Sequence, residues 1–145
     1  MSVASSHAGQ VIVHGGAGVV HPALHAAVLQ GTRRAAEIGA RVLKSGGDCQ
    51  AAAVAAVRHM ETTPAFNAGK GACMNADGGF EADAGLMRSR DLNIGAVASM
   101  PMLGNAIDAA ALVLDASRHH LLCGEAGASW VRARGIGMWG RQEVW

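Results

Sequence analysis

Residues 72–100 read ACMNADGGFEADAGLMRSRDLNIGAVASM. Asp77-Gly78-Gly79 is a hairpin turn signal, and it parts a short run, Ala72–Asn75, from an alternating one, Phe80–Leu86. Ile94–Met100 is a third run, so three strands are predicted with no helix between them. Upstream, Gln10–His14 (QVIVH) is a β-branched run stopped by Gly15-Gly16-Ala17-Gly18 and reads as a buried strand. His21-Pro22 then opens an amphipathic helix with apolar positions Leu24, Val28, Gly31, Ala35, Ile38 and Val42, ended by Gly46-Gly47. Asp48 is an N-cap for a second helix, Cys49 to about Met60. Its Ala and Val content predicts burial on most sides, and it stops before Thr63-Pro64. Downstream, Asn105 is the expected cap of a helix through Ala116, His119–Cys123 is a short strand and Glu125–Arg134 a last helix. Helices cluster and strands cluster. The order β, α, α, β, β, β, α, β, α predicts an α+β fold with an antiparallel sheet covered by helices on one face.

The composition narrows the function. The 145 residues carry Lys+Arg 12 against Asp+Glu 11, a net charge of +1 that supplies no electrostatic footprint for nucleic acid. Aromatic residues are 3% with no Tyr, which argues against a base-stacking platform. Hydrophobic residues reach 50% and the mean hydropathy is +0.21, which opposes disorder. No stretch reads as a membrane span or signal peptide, so a cytoplasmic single domain over 1–145 is expected. Cys49, Cys73 and Cys123 form no CxxC pair and read as free buried thiols.

Several residues could carry chemistry. His14-Gly15-Gly16-Ala17-Gly18 after a strand could cradle an anion, but a third glycine of the dinucleotide fingerprint is missing at His21. Glu81 and Asp83 share one face of a strand, as an acid–base pair or as solvated, loop-bonded carboxylates. His119-His120-x-x-Cys123 invites a metal, but adjacent histidines on a strand point to opposite faces.

In combination, VHGGAG, GGDCxxAAxAAV, PxFNAGxG (Pro64–Gly71), ExDA, LxxGAV and HLLxGxxxA stand in this order. This pattern resembles the isoaspartyl peptidase/L-asparaginase family, the plant-type asparaginases among the N-terminal nucleophile hydrolases, from about Val11 to Gly135. The resemblance implies an αββα sandwich, of which this chain would form the N-terminal, α-subunit-like part. It also implies self-cleavage between Gly and Thr, an N-terminal Thr nucleophile on a β-subunit, and an (αβ)2 assembly. The substrate it implies is asparagine or a β-aspartyl dipeptide, with no organic cofactor.

Carried over residue by residue, His14, Gly15, Gly16 and Asn67 match the network around the nucleophile. Met60, Glu61, Thr63, Phe66, Ala68 and Lys70 match main-chain carbonyls of a sodium loop, a sound ligand set for a hard cation. The threonines are Thr32, Thr62 and Thr63, and none sits before the small apolar strand that follows the family's cleavage site. The family's Met-Asp-Gly is here Met87-Arg88-Ser89, and residues 136–145 match poorly. The resemblance therefore implies a chain inactive alone. The alternative is a non-catalytic binding or interaction protein that keeps the half-fold; a small nucleotide-binding domain is a third reading.

Overall fold

The computed structural model of the chain describes residues 9–101 and 103–139. Helix α1, His25–Lys44, is entered through a 3-10 turn at Pro22–Leu24, where the missing proline N–H costs nothing. Its buried positions are Gly31, Ala35 and Gly39, one every four residues. Helix α2, Cys49–Glu61, starts as expected, with Asp48 Oδ1 accepting the Ala51 N–H at 2.8 Å. Small residues bring the two helices together: a Cβ on Gly39 would stand 3.1 Å from the Ala52 carbonyl oxygen.

Burial of α2 is narrower than its composition predicts. Ala52, Ala56 and Glu61 are buried, while Ala51 and Val57 are exposed. The helix packs on α1 and more lightly on a later helix, residues 106–116, so its remaining faces stay open.

Strands β1, Glu81–Arg88, and β2, Asn93–Pro101, pair antiparallel with Leu86 opposite Gly95. A bulge shifts the register between Ala82 and Ala84, and nearby Ser99 takes φ 49°. Helix α3, Ala106–Ala116, crosses back to strand β3, Leu121–Cys123, which pairs parallel to β2 with Ala96 opposite Leu121. The sheet is therefore mixed rather than antiparallel, because a helical crossover returns the chain to the end where β2 began. Helix α4, Gly124–Arg132, follows.

Two expected strands are loops. Gln10–His14 has no ladder partner among the described residues and lies against the helix pair, with the Val11 methyls 3.1 and 3.3 Å from a Cβ on Gly39. Ala72–Asn75 is turned back by Asn75, whose N–H reaches Gly79 O at 2.8 Å and whose Oδ1 accepts the Gly79 N–H at 2.8 Å.

Helices α3 and α4 cover one sheet face around Val97, Met100, Ala109, Val113, Ala128 and Val131. The other face carries Glu81, Asp83, Met87, Ile94, Leu121 and Cys123, all exposed. Cys49, Cys73 and Cys123 are free and exposed, not buried, since no described residue covers their faces. After α4 the backbone returns to the core: Gly104 N–H donates to Gly137 O at 2.9 Å and Leu103 bridges Met138. Residues 136–139 thus pack into the fold, and 140–145 lie outside the described residues. Among the described residues no helix is long and apolar enough to cross a membrane.

Candidate functional site

The chain leaves α2 through a loop, residues 60–71, that is anchored at once. Thr62 Oγ1 donates to Arg58 O at 3.0 Å and Thr63 Oγ1 to His59 O at 2.7 Å. Phe66, 4% exposed, then fills a space that two glycines leave open. A Cβ on Gly31 would meet the ring at 2.7 Å, and a Cβ on Gly15 would meet it at 3.3 Å. One ring therefore ties α1, the His14-Gly15-Gly16 loop and the 60–71 loop together. His14 Nδ1 accepts the Gly16 N–H at 3.3 Å, and Asn67 Oδ1 accepts the Cys73 N–H at 2.9 Å. Both side chains are exposed beside this junction.

Carbonyl oxygens crowd the two glycines that close the loop. A Cβ on Gly71 would lie 2.1 Å from Phe66 O and 2.5 Å from Pro64 O. A Cβ on Gly69, at φ 56°, would lie 2.2 Å from Glu61 O. Only glycine fits at these places. The Thr63, Phe66 and Ala68 carbonyls each accept one backbone N–H, from Phe66, Ala68 and Gly71, while Met60 O receives those of Thr62 and Thr63. A carbonyl has two acceptor sites, so Thr63 O, Phe66 O and Ala68 O each keep one for a further partner.

Glu61 carries a second role that the motif does not reveal. Its side chain is buried, and Oε1 accepts the Ile107 N–H at 3.0 Å at the start of α3. It takes the place of Asn105, whose side chain makes no cap hydrogen bond. Glu61 Oε2 has no partner among the described residues. Burial pushes its carboxyl up to about 7, Asp108 adds to the rise, and the Ile107 N–H and Arg58 oppose it. A lone acid closing an Ala-rich helix was the available signal.

A cleft of about 320 Å³ opens beside the loop, lined among others by Glu61, Asn67, Asn75, Glu81 and Asp83. Asp83 Oδ1 accepts the Ser99 N–H at 2.7 Å, so this carboxylate steadies the β-bulge, in line with the loop-bonded reading. His120 Nδ1 lies 3.2 Å from Ile94 O, and both His119 and His120 are exposed. Arg88, where the motif departs, joins Asp91, Asp115 and Gln50 at 2.8–2.9 Å, and the turn closes with Leu92 at φ 55°.

A family model described as asparaginase matches residues 7–143. The chain belongs to the asparaginase family. The asparaginase-family chain is 39% identical over 127 residues to an isoaspartyl peptidase/L-asparaginase of Bos taurus, covering 87% of this chain and 41% of the relative. It is 37% identical over 126 residues to the Danio rerio protein of the same name, with the same two coverages. A plant-type L-asparaginase of Thermococcus kodakarensis is 39% identical over 127 residues, 87% of this chain and 41% of that protein. The chain thus spans about two fifths of the length of the curated relatives it matches.

Proposed function

We propose that this chain is the α-subunit part of an L-asparaginase/isoaspartyl peptidase and builds the scaffold around a threonine nucleophile carried by a β-subunit. The observation that carries this reading is the family match over residues 7–143, which accounts for only about two fifths of each relative. The hydroxyls of this chain support it. Thr32 Oγ1 donates to Val28 O at 2.8 Å inside α1, and Thr62 and Thr63 are bound to the last turn of α2. None is an N-terminal residue with a free amine to act as its base.

In this reading a second sheet stacks on the exposed face of β1–β3 and completes an αββα sandwich within an (αβ)2 assembly. The β-subunit hydroxyl attacks the side-chain amide of asparagine or the β-aspartyl bond of a dipeptide. Ammonia, or the amino acid whose α-amine the β-aspartyl group had acylated, leaves, and water releases aspartate from the acyl-enzyme. The His14-Gly15-Gly16 loop and Asn67 hold the surroundings of that hydroxyl. The carbonyls of Met60, Glu61, Thr63, Phe66, Ala68 and Lys70 would hold a sodium ion that fixes the loop. The crowding of carbonyl oxygens at Gly69 and Gly71, with acceptor sites left over, fits a hard monovalent cation.

The test is ammonia release from L-asparagine and cleavage of a β-aspartyl dipeptide. The chain alone is expected to be silent, and co-production with a family β-subunit should give activity that a Thr→Ala change in that subunit removes. Ammonia release by the chain alone, lost on Thr32→Ala, would overturn the reading.

A further inference from the structure

The segment after α4 places an aromatic ring on the carbonyl loop. After α4 the chain reverses at Gly135, φ 91°, and is pinned to Leu103 and Gly104 by the Met138 bridge and the Gly137 hydrogen bond. Trp139 follows directly. A Cβ on Gly69 would stand 2.7 Å from both Cη2 and Cζ3 of the Trp139 indole, at the same spot where Glu61 O is 2.2 Å away. The six-membered edge of the ring therefore rests on the Gly69 backbone, on the side of the Glu61 carbonyl. Trp139 itself is half-buried.

We propose that Trp139 is a positioning residue that covers the Gly69 side of the 60–71 loop and sets how tightly that loop holds a monovalent cation. The proposal rests on the cation reading given above. A cation held by neutral carbonyls must shed water, and an apolar wall limits the water that competes for those oxygens. The ring also blocks outward movement of Gly69, which keeps the Glu61 carbonyl in place. The anchor at Leu103–Gly104 makes this cover a property of the fold rather than of the tail beyond it.

The chain has three tryptophans, so Trp130→Phe with Trp145→Phe leaves Trp139 as the only emitter. Sodium chloride is titrated against tetramethylammonium chloride at constant ionic strength, with indole emission and melting temperature as readouts. Saturable changes in both are expected, with the same midpoint. Trp139→Ala, followed by melting in the otherwise unaltered chain, should raise the sodium midpoint about tenfold, the low end of what outer-shell partners contribute. Trp139→Phe should restore most of it. A sodium-dependent melt with the same midpoint in Trp139→Ala would overturn the cover and leave the cation loop standing. A melt that ignores sodium in every chain would overturn both. If Trp139→Ala fails to fold, the single-tryptophan chain decides: emission unmoved by sodium while its melting responds would sink the proposal.

Discussion

Among the described residues Glu61 is the buried charged side chain. Its carboxyl is 3% exposed, holds one backbone N–H of α3 and leaves Oε2 without a partner among the described residues. Folding raises it from 4.5 to about 7. An acid raised in this way binds its proton more tightly folded than unfolded. Its contribution is therefore most favourable below pH 4.5, declines as pH rises through 7 and is flat above that. The swing is roughly 3 kcal/mol at most. Glu61→Gln keeps an oxygen for the Ile107 N–H and removes the charge. In sodium-free buffer the variant is expected to unfold at higher denaturant than the parent at pH 8 and at the same denaturant at pH 4.5. A parent whose midpoint does not change between those two pH values would contradict this account. No spacing rule on the sequence ties residue 61 to residue 107, which is why the partner of this buried acid was not legible.

At the scale of elements, α3 lies so close to β2 that no side chain fits between them at one point. A Cβ on Gly95 would be 2.2 Å from Ala110 O and 2.3 Å from Leu114 N, both backbone atoms that cannot rotate away. Gly95→Ala should cost about 3 kcal/mol in denaturant unfolding, the upper end of ordinary overpacking. Gly85→Ala, on β1 with nothing within 4 Å of the added methyl, should stay within about 0.5 kcal/mol. Equal losses in the two variants would show that α3 can shift off the sheet without cost. The helices were legible because their signals are local: Asp48 before α2, Pro22 before α1, the small-residue stripe of Gly31 and Ala35. What was not legible depends on partners far along the chain. Gln10–His14 has a strand's composition, yet a strand exists only with a ladder beside it, and among the described residues none is offered. Likewise β3 shows its apolar run but not its direction, which the α3 crossover fixes.

At the scale of the whole molecule, one face of the sheet is packed and the other is bare among the described residues. Met87 is 59% exposed, Ile94 41% and Leu121 51%, and Met87 stands opposite Ile94 across the hairpin. Among the described residues the sheet ends at β1 on one side and β3 on the other, so each presents a strand edge to pairing. An apolar face bordered by open edges favours association with another chain. The chain alone is expected to run as oligomers in size-exclusion chromatography, and a family β-subunit supplied with it should replace them by a defined complex. Ile94→Lys with Leu121→Lys separates the two causes of association. Charges in the middle of the bare face should shrink the self-associated species, because like charges meet there, and should also block the complex. If the oligomers persist in the double variant while the complex is lost, association runs through the edges and the face is reserved for the β-subunit. A sharp monomer peak from the unaltered chain, with slowly exchanging amides throughout β1 and β2, would mean that three strands and four helices are self-sufficient. The bare face would then demand no second sheet, and the interaction-protein alternative would gain.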